Sequence, residues 1–177
     1  MAKVARVPPP AVEGDSAADA VKRSVLAHQP ELLQAFLRLY GTLWSHGVVD
    51  QPTKEVARLR NARVTGCRYC RSVRFAGARE AGPSEDLVAQ IGDGFEESRL
   101  SDRHKAVIRY ADVFLTDPSR LTDELRAEML RHFTSAEIVE LTAGLALFMG
   151  FSKIAIVLGQ EPDDMPITII PTPVRPS

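Results

Sequence analysis

Hydrophobic residues recur every three or four positions along most of this chain, the spacing that places side chains on one face of an α-helix. The clearest case is the stretch 31–44, in which seven apolar residues form one broad face. Asp50 and Pro52 are typical of the start of a second helix, and Gly66 ends or bends it. Because no strand-like alternation of useful length occurs before residue 166, the pattern predicts an all-α fold.

The second half of the chain continues this helical pattern. One helix is predicted over residues 67–81, closed by a Gly-Pro pair, and others over residues 84–91, 101–115 and 122–132. The segment from Thr134 to Glu137 forms a capping box that opens the last helix, which Gly159 ends. This last helix is apolar almost all round, so other parts of the protein must shield it from water on every side. We therefore expect the chain to form a homo-oligomer.

The two ends of the chain differ from this helical middle. A flexible leader is predicted over residues 1–15, which hold three consecutive prolines and a glycine. The helical domain is predicted over residues 16–160, beginning with a short helix capped by Ser16. Residues 166–177 contain four prolines interleaved with isoleucines, so an extended, proline-rich C-terminal arm is predicted over residues 161–177.

Composition and charge narrow the function classes. With 177 residues, 45% of them hydrophobic and 25% charged, the chain has the composition of a single globular domain. The net charge of -1 is unevenly distributed, because residues 54–80 carry a net charge of +6 and the remainder carries -7. Only 6% of the residues are aromatic and the overall charge is negative, so we do not expect nucleic-acid binding.

The sequence also bears on where the protein works. The first ten residues include two basic side chains but no apolar run after them, which is not the pattern of a secretory signal. We therefore predict a cytoplasmic protein. The stretch 138–158 approaches membrane-spanning length, but Glu140 and Lys153 interrupt it. It is interpreted as a buried core helix, without membrane contact.

The best candidate for chemistry is the only pair of cysteines, Cys67 and Cys70. Positions three apart share a face of a helix, so the two thiols can meet and form a reversible short-loop disulfide. The first turn of a helix favours a thiolate, and Arg71 and Arg74 each follow a cysteine by four residues. Two cysteines in a chain without an export signal are more typical of redox or metal chemistry than of a structural framework.

Two other interpretations of this pair were considered. A zinc site would need two of the four histidines as further ligands, and none falls at ligand spacing, so no metal is expected. The cysteines could also be two small apolar residues in a buried turn, since free cysteine is among the most buried side chains.

The residues around the cysteines resemble a known family. The segments EVARLR (55–60) and GCRYC (66–70), followed by Ala76 or Ala78 and by Gly82, resemble the core motif of the AhpD-like, carboxymuconolactone decarboxylase superfamily. Similar segments follow later in the chain: RYAD (109–112), LTD (121–123) and FTSAEIVELT (133–142). The resemblance covers about residues 25–160. It implies an all-α, AhpD-like helical bundle, an obligate homo-oligomer and thiol-dependent reduction of hydroperoxides.

The resemblance also implies roles for individual residues. Cys70 corresponds to the thiol that attacks peroxide, and Cys67 to the thiol that resolves the product as a disulfide. A dihydrolipoyl-bearing partner protein would then reduce the pair again, and no cofactor is bound. Glu55 corresponds to the proton-relay glutamate of the family. From the sequence alone, a surface salt bridge between Glu55 and Arg58 is an equally good interpretation.

One position departs from the family pattern, CxxCxxxH. Arg74 occupies the place of the histidine that relays a proton to the reactive cysteine. Arginine cannot accept a proton at working pH, although it can hold a thiolate or an anionic substrate by charge. His46 could be brought near the site from the preceding loop, but a histidine beside a glycine is more typical of a solvated loop.

Three functions therefore compete at this point. The leading hypothesis is an antioxidant CxxC thiol oxidoreductase, a peroxidase or disulfide reductase with a thiol-reducing partner. The second is a lyase or isomerase like carboxymuconolactone decarboxylase, in which arginines bind the carboxylate of a small anionic metabolite and Glu55 acts as acid or base. The third is a non-catalytic oligomeric scaffold or ligand binder that keeps the fold without the full site.

Overall fold

The computed structural model of the chain describes residues 7–8, 24–82, 84–161 and 164–176. Apart from Val7 and Pro8, the leader predicted over residues 1–15 lies outside the described residues, as does most of the short helix predicted after Ser16. Within the described part, residues Val25–His28 form a single 3-10 turn that precedes the first long helix.

The described residues form eight α-helices and two short strands, which confirms the predicted all-α class. In chain order the elements are α1 (Pro30–Ser45), α2 (Gln51–Val64), α3 (Arg68–Ser72), β1 (Val73–Phe75), α4 (Ala76–Ala81), α5 (Glu85–Ala89), α6 (Asp102–Thr116), α7 (Asp123–His132), α8 (Ser135–Val157) and β2 (Thr168–Ile170). Short 3-10 turns at Phe95–Glu97 and Pro118–Arg120 connect some of the helices.

Local capping explains where the main helices begin. At the start of α2 the Asp50 carboxylate accepts a hydrogen bond from the backbone N–H of Thr53, 2.8 Å away, and Pro52 lies in the first turn. At the start of α8 the predicted capping box is present, because Thr134 and Glu137 each bind the other's backbone N–H.

Helix α2 is the centre of the fold and packs against both α6 and α8. Residues 53–62 of this helix are all buried, although several of them are charged. A buried charge is stable only when it is paired and hydrogen-bonded. Each of the buried charges of α2 has such a partner: Lys54 binds Glu140 at 2.8 Å, Arg58 binds Glu55 at 2.7 Å, and Arg60 binds Asp112 at 2.5 Å.

The segment after the first cysteine differs from the single helix predicted over residues 67–81. The structure divides it into α3, β1 and α4. The Arg58 guanidinium explains the break, since it donates to the carbonyl oxygens of Cys70 (2.7 Å) and Val73 (2.6 Å). A continuous helix would need these carbonyls as acceptors for N–H groups four residues further along. The backbone of β1 instead pairs in parallel with β2, with Val73 opposite Thr168.

Beyond this strand pair, hydrogen bonds hold the C-terminal tail against the helices. The backbone N–H of Gly77 in α4 donates to the Thr172 hydroxyl at 2.8 Å. Further along, the Ser45 hydroxyl at the end of α1 donates to the carbonyl of Pro173. Gly41 is needed where the tail crosses α1, because a Cβ at this position would collide with the backbone of Val174.

Helix α8 is long and apolar enough to cross a membrane by length and composition alone, but one side of it packs into the protein. Leu141, Leu145 and Phe148 are buried in the main core, as expected for a core helix. Val139, Ala143, Ala146 and Val157 on its other side are exposed in the single chain. Homo-oligomerisation, which would cover such a surface, stays a prediction.

Candidate active site

Cys67 and Cys70 lie together at the start of α3. Cys67 is the N-cap residue of this helix and Cys70 lies in its first turn. The structure pairs the two residues as a disulfide with their Cα atoms 5.3 Å apart, within the range that a disulfide spans. The Cys67 side chain is fully buried, whereas Cys70 retains 6% of its accessible surface. Of the two residues, Cys70 is therefore the more open to a small reactant.

Each sulfur has a hydrogen-bond donor of its own. The backbone N–H of Cys70 donates to the Cys67 sulfur at 3.2 Å. The Ser152 hydroxyl, on α8, lies 3.3 Å from the Cys70 sulfur, and the Asn61 side-chain N–H donates to the same hydroxyl oxygen at 2.9 Å. Because the Asn61 nitrogen can only donate, the Ser152 oxygen accepts there and its own hydrogen is left for Cys70.

The surroundings of the pair are apolar apart from these groups. Ala62 and Ala155 form a buried cluster with the two cysteines, and Tyr69, Phe151 and Ile156 pack against it. The side-chain oxygen of Asn61 is buried here and accepts no hydrogen bond from a described residue. An O–H group that enters beside Cys70 could supply the missing donor, since buried polar atoms are normally satisfied.

Glu55 and Arg58 form a buried ion pair below the cysteine turn. Both carboxylate oxygens of Glu55 accept hydrogen bonds from the guanidinium at 2.7 Å. The pair is the salt bridge considered from the sequence, but it lies in the core, with Glu55 2% and Arg58 4% exposed. Burial alone would lower the pKa of Arg58, yet the Glu55 carboxylate outweighs it and raises that pKa. The same guanidinium binds the Cys70 carbonyl, so it links Glu55 to the cysteine turn.

Tyr40, on α1, shows how strongly this region is desolvated. Burial raises the pKa of its phenol to about 12, although the positive charge of Arg58 acts in the opposite direction. The ring packs against Trp44 and Phe75, with centroid distances of 6.2 Å to each. The ion pair below the cysteines is thus enclosed by aromatic side chains.

Arg74 lies in β1, and its guanidinium is turned toward α5. It forms a two-pronged ion pair with Glu85, with both N–O distances 3.0 Å. One guanidinium nitrogen also donates to the carbonyl oxygens of Arg71 and Val73. All the hydrogen bonds that the Arg74 side chain makes to the described residues therefore go to Glu85 and the backbone, and none goes to a cysteine sulfur.

His46 forms no hydrogen bond to either cysteine among the residues that the structure describes. His46 is the exposed residue that follows α1, and its backbone N–H donates to the Thr42 carbonyl at 3.0 Å. Among the residues with described positions, no three His, Cys, Asp or Glu side chains are grouped as a metal site would require.

Sequence reasoning missed Ser152 and Asn61 as neighbours of Cys70. Ser152 follows Cys70 by 82 residues, so no local pattern connects them. A signal was nevertheless present, because Ser152 is one of few polar residues in the most apolar helix and is completely buried. Asn61 is likewise a buried polar residue, on the central helix. Two buried polar side chains on packed helices are expected to hydrogen-bond to each other or to a third group.

Comparisons with known proteins give a family match that spans the residues of this site. The family model for the carboxymuconolactone decarboxylase family matches residues 30–112, which include both cysteines, Glu55 and Arg58. An uncharacterised protein of Mycobacterium tuberculosis is 38% identical over 114 residues, which are 64% of this chain and 39% of that protein. The chain thus matches about two fifths of the length of this curated relative.

Solved structures with the same fold are more distant in sequence. An uncharacterised peroxidase-related protein from Ralstonia eutropha, described as an alkylhydroperoxidase AhpD core, has a TM-score of 0.70 and 18% identity, and the alignment covers 93% of this chain and 95% of that one. A protein of unknown function from Agrobacterium tumefaciens, named as a candidate AhpD antioxidant defence protein, has a TM-score of 0.66 and 20% identity, with coverages of 78% and 96%. At such identities the likeness shows the fold alone.

Proposed function

We propose that this chain, whose residues 30–112 match the carboxymuconolactone decarboxylase family, is a member of the AhpD-like superfamily and that its Cys67–Cys70 dithiol reduces hydroperoxides. The observation that carries the proposal is the asymmetry of the pair. Cys70 retains some accessible surface and contacts the Ser152 hydroxyl, whereas Cys67 is fully buried directly beside it. An accessible, hydrogen-bonded thiol next to a protected one is the arrangement that a two-cysteine peroxidase needs.

The reaction then proceeds in two steps. The Cys70 thiolate attacks the terminal oxygen of a hydroperoxide, so that an S–O bond forms, the O–O bond breaks and the thiol proton leaves with the alcohol. The Cys67 thiol attacks the resulting Cys70 sulfenic acid, forming the disulfide and releasing water. Two electrons pass from the dithiol to the hydroperoxide, and a partner's dithiol, such as a dihydrolipoyl group, returns them by thiol–disulfide exchange.

Three of the charged residues identified from the sequence, Glu55, Arg58 and Arg74, take positioning roles in this proposal. Arg58 holds the Cys70 carbonyl while Glu55 fixes the Arg58 guanidinium. Arg74 binds the carbonyls on either side of Ser72 and is itself held by Glu85. In place of a relay histidine, the Ser152 hydroxyl is the group that stabilises the Cys70 thiolate.

The lyase alternative receives less support from this geometry. It would need the Glu55 carboxylate to exchange a proton with a substrate. Both oxygens of that carboxylate are occupied by Arg58, and the residue is 2% exposed. A substrate would have to break a buried ion pair before Glu55 could act.

We expect the reduced protein to form a disulfide within one chain when it meets one equivalent of hydrogen peroxide or of an organic hydroperoxide. Intact mass spectrometry should show the loss of two hydrogens, and peptide mapping should place the bond between Cys67 and Cys70. The matched control is the same protein in urea, which should react more slowly because it lacks the folded environment that favours the thiolate. Native thiols that remained inert for hours, or that gave only links between chains, would rule out the proposed function.

We expect Ser152→Ala to raise the pKa of the Cys70 thiol by about one unit, because the thiolate loses a hydrogen-bond donor. The measurement is the rate of alkylation against pH in a Cys67→Ala background, in which a single thiol titrates. Thr142→Val is the matched control, since it removes a hydroxyl from the same helix that binds Tyr110 and the Ile138 carbonyl instead of a sulfur. A pKa that fell or stayed constant in Ser152→Ala would show that the hydroxyl does not donate to Cys70.

A further inference from the structure

A concave site is lined in part by Arg68, Arg71 and Ser72 of the helix that carries Cys70. It is a cavity of about 540 Å³, and neither cysteine lines it. Four arginines, Arg63, Arg68, Arg71 and Arg74, form much of its wall, together with the two carboxylates of Glu85 and Asp164. We call it the arginine cavity. Of its lining residues, the proposed thiol chemistry uses only Arg74, as a positioning residue.

Two of the four guanidinium groups have their charge balanced by a nearby carboxylate. Arg74 is paired with Glu85 at 3.0 Å, and Arg68 lies 3.9 Å from Glu161. Arg63 differs, because its hydrogen bonds go to the neutral backbone carbonyls of Val88 (2.8 Å) and Ala89 (3.3 Å). Such bonds hold the Arg63 guanidinium in place, but they do not balance its positive charge.

Arg71 is the other arginine without a carboxylate partner. Its side chain is exposed, and it forms no salt bridge with any residue in the described ranges. Like charges repel one another, and their effect is visible at Arg63. Burial lowers the pKa of Arg63, and the positive charges of Arg71, Arg60 and Arg74 lower it further, although the Asp93 carboxylate acts in the opposite direction. The four arginines of the lining outnumber its two carboxylates, so the cavity has an excess of positive charge that an anion would balance.

Apart from Ser72, the rest of the lining is apolar. Val88, Met165 and Ile167 contribute to it, so the cavity combines charged and hydrophobic side chains. A site with convergent cations and an apolar wall suits a ligand that has both an anionic head and a hydrocarbon body. The planar guanidinium fork matches a carboxylate, which it can bind through two parallel hydrogen bonds.

We propose that the arginine cavity binds a small organic acid, with the carboxylate between Arg63 and Arg71 and the hydrocarbon body against Val88, Met165 and Ile167. The site is separate from the cysteine pair, so binding does not require the proposed peroxidase activity. Oxidised and reduced protein should both bind.

The test is isothermal titration calorimetry of the full chain with octanoate, with octanol as the uncharged analogue and inorganic phosphate as the anion without an apolar body. We expect saturable octanoate binding, no octanol binding and phosphate binding at least about tenfold weaker than that of octanoate. Arg71→Gln should weaken octanoate binding about tenfold, the loss expected for one charge-assisted hydrogen bond. Arg71 is exposed, so its replacement should leave the fold intact.

Arg79→Gln provides the matched control, because Arg79 is an exposed arginine nearby in sequence that does not line the cavity. It removes the same charge and should leave the affinity unchanged. Arg63→Lys keeps the charge but loses the fork, and should also weaken binding. The proposal would be overturned if Arg79→Gln weakened octanoate binding as much as Arg71→Gln does. It would also be overturned if octanol or phosphate bound as tightly as octanoate. Absence of octanoate binding would overturn it too.

Discussion

Arg58→Met is expected to lower the free energy of unfolding by about 3–5 kcal/mol, the cost of leaving one member of a buried ion pair without its partner. The Glu55 carboxylate is 2% exposed and has both oxygens bound to the guanidinium, so it would be left desolvated and unpaired. The carbonyls of Cys70 and Val73 would each lose the bond from Arg58 at the same time, although the Val73 carbonyl keeps its bond from Arg74. Urea denaturation of the reduced protein measures the effect.

A matched control exists elsewhere in the chain. Asp123 and Arg126 form a salt bridge with the same three-residue spacing, but their side chains are 92% and 59% exposed. Arg126→Met should therefore cost no more than about 1 kcal/mol. Adding Glu55→Gln to Arg58→Met should recover part of the loss, because the unpaired charge is gone. Equal costs for Arg58→Met and Arg126→Met would contradict the structural role of the buried pair.

Cys70→Ser is expected to abolish hydroperoxide reduction, whereas Cys67→Ser should stop it after the first step. In Cys67→Ser the thiolate of Cys70 can still attack the peroxide, but no second thiol is available to form the disulfide. The variant should consume one equivalent of peroxide and give a sulfenic acid that dimedone traps. Turnover is followed with dihydrolipoamide as the dithiol reductant.

The two serine variants also test the assignment of roles. Both cysteines are buried in the same apolar cluster and each substitution is nearly isosteric, so a general loss of stability would affect the two variants alike. The difference in accessible surface, 6% for Cys70 and none for Cys67, is what predicts different outcomes. If Cys70→Ser kept the first step and Cys67→Ser lost it, the roles of the two thiols would have to be exchanged.

Helix α8 and the cysteine pair show how much could be predicted from the sequence. The capping box at Thr134 and the spacing of Cys67 and Cys70 are local patterns, in which the residues that interact are three positions apart. The conformations of such neighbours depend little on the rest of the chain. For this reason the helix start and the proximity of the cysteines followed from short segments.

Helix α2 and the break at β1 could not be predicted in the same way. A helix with several charged residues is usually exposed on one side, yet residues 53–62 are buried because acids from other elements neutralise them. The segment 67–81 favours a helix locally. The Arg58 guanidinium nevertheless donates hydrogen bonds to two of its carbonyls, and residues 73–75 pair with β2 as a strand. Ser152 reaches Cys70 only through the packing of α8 on α2. All three features depend on residues distant in sequence.

The pairing of β1 with β2 has a consequence for biosynthesis. Among the described residues β1 pairs only with β2, and 95 residues separate Gly77 from the Thr172 hydroxyl that its N–H binds. A contact of such long range pays its loop-closure entropy before it contributes stability, so it is expected to form late. The two thiols leave the ribosome well before Ser152 and the C-terminal tail do. We therefore expect nascent chains to carry Cys67 and Cys70 through a period in which neither sulfur is shielded, and to depend on the reducing capacity of their surroundings until α8 has left the ribosome and packed against the cysteines.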